Sequence, residues 1–153
     1  MLKTRAGDPV FPGDRLETGK NDKVFLRFEA DGTLVKLAGN TKLQVSKEGE
    51  AQAFLSEGLM WGSKTTGNSS FAVRTPVMIT AAHGAEFFIK SIGPEQSVVL
   101  VKGGVVEVKF EGGISGIGPM KIGFFQKGIG SRVSPIDEKI LQDWAAPFEG
   151  EDT

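Results

Sequence analysis

The sequence predicts an all-β fold of many short strands with one C-terminal helix. Three observations carry that expectation. Apolar and polar residues alternate with period two through most of residues 23–110, the pattern of half-buried strands. Asp-Gly, Ala-Gly-Asn, Glu-Gly, Gly-Pro and Gly-Gly separate the runs, and each is turn chemistry. Glycine accounts for 21 of 153 residues, about twice the usual share of ~7%, as a chain with many tight turns requires. Runs this short, about 8–12 residues apart, suit a sandwich, a barrel or a short β-helix.

The first run is 23–28, in which Val24, Leu26 and Phe28 share one face. Asp31-Gly32 turns the chain into 33–37, with Val35 and Leu37 on one side. Further strands are expected at 42–45, 51–55, 59–62, 70–75 and 78–81. Others follow at 86–91, 97–102, 105–110 and 121–126. Ser97-Val98-Val99-Leu100-Val101 is apolar on both faces, which suits a central strand covered on each side. The glycine-rich stretch 112–118 reads as a flexible loop.

A helix is expected near the end. Ser134 fits the N-cap and Pro135 the first helical position, while Asp137 and Glu138 suit the positive end of the helix dipole. Ile136, Ile140, Leu141 and Trp144 recur at helical spacing, so their stripe is expected to pack on the β core. Pro147 should end the helix. The expected organisation is one β domain over residues 1–133, with a C-terminal helix and acidic tail over 134–153 packed on it.

Composition narrows the function. At 153 residues the chain is most naturally one domain with a substantial core. Its net charge is −1, from 18 basic and 19 acidic residues, without the basic excess or stripe of a nucleic-acid binder. The acids at 137, 138, 143, 149, 151 and 152 face only Lys139 and read as a solvated helix face and frayed tail. The absence of cysteine excludes disulfides and thiolate metal sites. No run approaches the ~18 apolar residues of a membrane span, and Met1-Leu2-Lys3-Thr4-Arg5 lacks the apolar core of a signal peptide.

Catalytic chemistry finds no foothold. His83 is the only histidine, so a histidine-based metal cluster cannot form. Ser70 or Ser91 with His83 and an acid could make a triad on paper, but no Gly-x-Ser-x-Gly elbow places a nucleophile. Between Ala82 and Gly84, His83 reads as a turn-edge structural residue. Glu86, beside Phe87 and Phe88, is expected to be partly buried and to accept hydrogen bonds from nearby backbone. Asp14 with Glu17, and Glu48 with Glu50, read as turn and surface pairs. The glycines at 116, 118, 123 and 128 lack the third glycine or the lysine of a phosphate loop, and Asn68-Ser69-Ser70 is a chance glycosylation tripeptide. No catalytic, cofactor-binding or metal residue is therefore assigned. Eleven phenylalanines, two tryptophans and no tyrosine favour core packing over a stacking platform. Trp61, after Gly58-Leu59-Met60, is the one binding candidate, core burial being its simpler reading.

Several short motifs occur in a suggestive order. They are Val10-Phe11-Pro12-Gly13-Asp14-Arg15-Leu16-Glu17-Thr18-Gly19, then Asp31-Gly32-Thr33 between two apolar strands, then Leu55-Ser56-Glu57-Gly58. Phe71-Ala72-Val73-Arg74-Thr75-Pro76 follows, then His83-Gly84-Ala85-Glu86-Phe87 and Gly103-Gly104-Val105. This series, over roughly residues 10–128, resembles the FecR domain of bacterial envelope signalling proteins. His83 and Ala85 depart from the family's Arg-Gly-Thr-x-Phe sequence. The resemblance implies an all-β fold in a β-helix-like or rolled-sheet arrangement, without enzymatic activity. Its best-known members are similar to anti-sigma regulators, which pass a signal from an outer-membrane transporter through the periplasm to a cytoplasmic sigma factor. Those proteins carry an N-terminal cytoplasmic segment and a membrane helix, neither of which is recognised in this sequence. Family domains tend to begin one or two strands before the position of Met1, so an N-terminally truncated domain is expected. Gly13, Asp14, Thr75, Pro76, Gly84 and Phe87 are expected to preserve the fold.

The functional expectation is a non-enzymatic, periplasmic or otherwise extracytoplasmic module that binds another envelope protein, a transporter or a signalling protein. It would relay or anchor an envelope signal, without cofactor or nucleic acid. Strand addition at an open sheet edge is one available mode. The alternative is a cell-wall glycan-binding module with Trp61 as its stacking residue.

Overall fold

The computed structural model describes residues 8–10, 13–20, 22–28, 33–46, 51–64 and 71–148. Among them, twelve strands join in one mixed sheet. In chain order these are β1 (Asp8–Val10), β2 (Arg15–Glu17), β3 (Val24–Phe28), β4 (Leu34–Leu37), β5 (Lys42–Val45) and β6 (Ala53–Lys64). Then come β7 (Phe71–Arg74), β8 (Met78–Ile92), β9 (Gln96–Phe110), β10 (Gly113–Ile117), β11 (Lys121–Gln126) and β12 (Gly130–Pro135). The one α-helix among the described residues, α1 (Glu138–Ala145), runs into a 3₁₀ turn at Ala146–Phe148. The all-β class with one C-terminal helix is what the chain adopts.

Three long strands organise the sheet, because each takes part in two branches. The first half of β8 pairs with β7, from Phe71↔Ala82 to Arg74↔Ile79. Its second half pairs with β6, from Gly58↔Ser91 to Lys64↔Ala85. β9 accompanies β8 throughout, giving residues 96–101 to β11 and 106–110 to β10. β6 likewise divides between β5 and β4.

Each of these strands merges two shorter expected ones. Gly84 and Gly103-Gly104 read as turns in sequence, yet the ladder passes through them with a register shift between His83 and Glu86. Gly84 and Gly104 have φ of 57° and 77°, conformations that a side chain resists. A Cβ on Gly104 would also collide with the Gly84 carbonyl and Ala85. The glycines therefore make a bulge rather than a hairpin.

Four further expectations are corrected. Residues 112–118 are not a free loop: β10 pairs residue by residue with β9, from Gly113↔Phe110 to Ile117↔Val106. A ladder partner outweighs the weak intrinsic strand preference of glycine. β12 was not expected, nor were β1, which ends at Val10, and β2 within the Val10–Gly19 block. Ser134 and Pro135 do not cap the helix, because they pair with Ile122 and Lys121 in the sheet. The N-cap is instead Asp137, whose Oδ1 accepts the Ile140 N–H at 2.9 Å.

The sheet divides the apolar side chains into two cores. Leu26, Val35, Met60, Phe87 and Val99 from one branch meet Leu55, Phe71, Val73, Val106 and Val108 from the other. The opposite face presents Phe88, Val98, Leu100 and Ile122, and here Leu141 and Phe148 close a second core. The helix stripe is thus only partly committed: Leu141 is buried and Ile140 exposed. Trp144 meets Phe88 edge-on at 6.4 Å between centroids. Ser97–Val101 is buried on both faces, as its double-sided apolarity requires. Each fully buried Leu, Val or Phe stabilises by roughly 1.5–3 kcal/mol.

The Thr75-Pro76 motif has a structural explanation. Its turn joins β7 to β8, closed by the Thr75 N–H donating to the Met78 carbonyl at 2.8 Å. The buried Thr75 Oγ1 accepts from Ser97 Oγ at 2.8 Å and from the Val77 N–H at 3.3 Å. Proline tolerates this position because its missing N–H leaves no ladder bond unmade.

Candidate functional site

Cross-strand register builds the site around Trp61. Phe25 pairs with Lys36, Lys36 with Trp61, Trp61 with Phe88 and Phe88 with Leu100. Directly opposed residues point to one face of a sheet, so these five form a single rank across the outer face. α1 and the 3₁₀ turn cover the Phe88–Leu100 end. Phe25, Lys36 and Trp61 remain half-buried beside them.

Neighbouring polar groups converge on the indole. Trp61 Nε1–H donates to Glu86 Oε2 at 2.9 Å. Lys102 Nζ lies 3.6 Å from the same oxygen. Lys36 Nζ stands 5.2 Å from the Trp61 ring and 5.7 Å from that of Phe25, within cation–π range. Lys102 and Glu86 are 51% and 33% exposed, so solvent screens their pairing to about 0–1 kcal/mol. Glu86 is partly buried as expected, but the partner described for it is an indole N–H rather than backbone.

A cleft of about 270 Å³ opens between this network and the helix, lined by Trp61, Glu86, Phe88, Lys102, Leu141 and Phe148 among others. Lys36 and Lys102 on its rim are matched by Glu86 and Glu138, so its charge is balanced. An apolar floor with a balanced polar rim suits a partner side chain that is apolar with a polar end. A larger hollow of about 440 Å³ is lined by Val77, Phe110, Phe125 and Ile129 together with Glu111, Gln126 and Lys127.

The residues of the paper triad are not brought together. His83 is exposed at the β8 bulge. Ser91 lies eight residues further along the same strand, about 26 Å away at ~3.3 Å per residue, and donates to the Ser56 carbonyl at 3.1 Å. Ser70, Asn68-Ser69-Ser70, Glu48 and Glu50 lie outside the described residues. Among the described residues, no three His, Cys, Asp or Glu side chains are grouped to hold a metal, and no helix is long and apolar enough to cross a membrane.

Sequence reasoning reached Trp61 alone and missed Lys36, Lys102 and the indole contact of Glu86. The available signal was alternation: Phe25 and Lys36 lie opposite one another only once the strand pairing is known.

The architecture is thus a mixed β-sheet with an aromatic, charge-balanced cleft between one of its faces and α1. The FecR protein family model matches residues 14–107, more than half of the sequence, and the chain belongs to the FecR family. The match is narrower at both ends than the motif series, and β10, β11, β12 and α1 lie beyond it. Two crystal structures of a candidate anti-sigma factor from Parabacteroides distasonis ATCC 8503, at 1.65 and 2.50 Å resolution, share the fold with a TM-score of 0.71 each. Identity is 19% and 18%, and each alignment covers 86% of this chain. This chain spans 64% and 63% of the length of those two chains. No curated protein matches significantly.

Proposed function

We propose that the domain is a non-enzymatic, extracytoplasmic protein-binding module that relays or anchors a bacterial envelope signal. Membership of the FecR family is the observation that carries this reading. The fold shared with a candidate anti-sigma factor supports a regulatory role, and the engaged state of Glu86, Ser91 and Ser97 offers no poised nucleophile–base pair. The periplasm is the compartment this reading implies, and a transporter or signalling protein of the envelope is the partner. Residues 1–133 are then the binding domain and 134–153 its helical appendage and tail, except that Ser134 and Pro135 complete β12 of the sheet.

Trp61 is the residue assigned to recognition. Its ring, held by Lys36 and Glu86, offers an ordered amphipathic surface next to α1, and such pre-ordered aromatic anchors dominate many interfaces. The test is capture of envelope proteins on the folded domain and on Trp61→Ala, followed by titration of the purified partner. Retention of a transporter or signalling protein, weakened roughly tenfold or more by Trp61→Ala, is the expected result. A wild-type domain that binds none of them overturns the module reading, whereas equal binding by the variant overturns only the assignment of Trp61.

The glycan reading is the weaker one, because stacking needs an open ring face. Lys36 already lies over that ring, and Glu86 takes its N–H. Wall-glycan binding by calorimetry that disappears in Trp61→Ala would reverse this order.

A further inference from the structure

Among the described residues, β1, β2, β10 and β12 each have one neighbour in the sheet. Such edges expose unpaired backbone groups and are commonly blunted by charge or proline. β1 carries Asp8 and Pro9, β2 carries Arg15 and Glu17, and β12 carries Arg132 and Pro135. β10, Gly113-Ile114-Ser115-Gly116-Ile117, carries neither.

The hairpin register fixes which of its groups face outward. Phe110 and Gly113 flank the two-residue turn Glu111-Gly112, which makes them a hydrogen-bonded pair. Every second pair is bonded in the same way, so Val108↔Ser115 and Val106↔Ile117 are too. The N–H and C=O of Ile114 and Gly116 therefore point away from β9. The Ile114 side chain is 65% exposed, and among the described residues no atom beyond Gly116 and its two chain neighbours lies within 4 Å of where a Cβ on Gly116 would stand.

We propose that β10 pairs antiparallel with β10 of a second copy of this chain, about a two-fold axis through Ser115. That centre places Ile114 of each copy opposite Gly116 of the other. Both are then narrow pairs, each exchanging two N–H···O bonds through the outward groups. The Ile114 side chain lies beside a residue that has none, so the edge is complementary to itself, as a two-fold interface requires. Charge agrees with this alignment. Lys109 is registered with Ile114 and Glu107 with Gly116, so each rank crossing the dimer carries one lysine and one glutamate rather than two like charges. This interface is independent of the Trp61 cleft and of any envelope partner.

Cysteine trapping tests the alignment directly, because the chain has no native cysteine. Ser115→Cys would place two thiols in a non-hydrogen-bonded pair with Cα atoms about 4.5 Å apart, inside the range a disulfide spans. Mild oxidation of the full chain is expected to give a covalent dimer. Ser131→Cys on the β12 edge, the control, should give none at the same rate. Sedimentation of the unmodified protein from about 1 to about 200 µM should show a concentration-dependent dimer. Ile114→Lys, on an exposed side chain, should weaken it by roughly tenfold or more while leaving the circular dichroism spectrum intact. A monomer throughout that range, equal trapping at 115 and 131, or an unchanged dimer in Ile114→Lys would each overturn the proposal. A strand-forming peptide from another protein that binds β10 while the chain stays monomeric would do so as well.

Discussion

Gly62 lies in the middle of β6, directly opposite Phe87 of β8. An alanine Cβ at position 62 would stand 2.6 Å from Phe87 Cζ and 3.1 and 3.2 Å from the two Cε atoms. Phe87 is fully buried among the inner core residues, so its ring has nowhere to retreat. In an open strand, Gly→Ala stabilises by roughly 0.5–1 kcal/mol, because glycine loses more conformational freedom on folding. Here the sign should reverse, since overpacking of this kind typically costs about 1–3 kcal/mol. For a chain of this size each kcal/mol moves Tm by roughly 2–4 °C, so Gly62→Ala should melt about 2–12 °C lower. Urea denaturation followed by tryptophan fluorescence measures the free energy. The cause is isolated by the double variant Gly62→Ala/Phe87→Leu, which should be less destabilised than the sum of its parts by about 1 kcal/mol or more. A raised midpoint for Gly62→Ala, or strict additivity in the cycle, would refute the close-contact argument.

Ser97→Ala removes the buried donor to Thr75 and should cost about 1–2 kcal/mol; an unchanged urea midpoint would mean that the Thr75-Pro76 turn does not depend on this bond. Asp137→Ala should cost about 1 kcal/mol, seen as faster hydrogen exchange at the Ile140 amide with the sheet amides unaffected. In contrast, Lys42→Ala removes an ion pair of 3.4 Å whose side chains are 50% and 53% exposed. Its effect on the midpoint should stay within about 0.5 kcal/mol, and a larger loss would contradict the assumed screening.

Much of the fold was legible because burial leaves a periodic trace. Val98 and Leu100 face one core while Val99 and Val101 face the other, and the unbroken apolar run reports that double covering. Where the trace failed, the cause was local ambiguity or distant partners. Glycine serves a bulge and a hairpin equally well, so Gly84 and Gly103-Gly104 did not reveal that β8 and β9 continue through them. Ser134 and Pro135 form a sound helix start in isolation, and only their ladder with β11 assigns them to β12. β10 has two glycines among its five residues, which weaken its strand signal, and it is its pairing with β9 that assigns it. The candidate site was harder still. Trp61, Lys36, Glu86 and Lys102 belong to four strands, and no spacing along the chain records that they meet.

The sharing of β8 and β9 between branches bears on how the domain can come apart. Neither branch owns a complete set of strands, so breaking one strips backbone partners from the other. Amides in both halves of β8 should therefore exchange together, at the free energy of global opening, while the β11–β12 hairpin can fray by itself. A protease cut within 78–110 would abolish the whole domain rather than release a stable half. Folding must likewise wait for pairings distant in sequence, which makes a slow folding rate the expected cost of this weave.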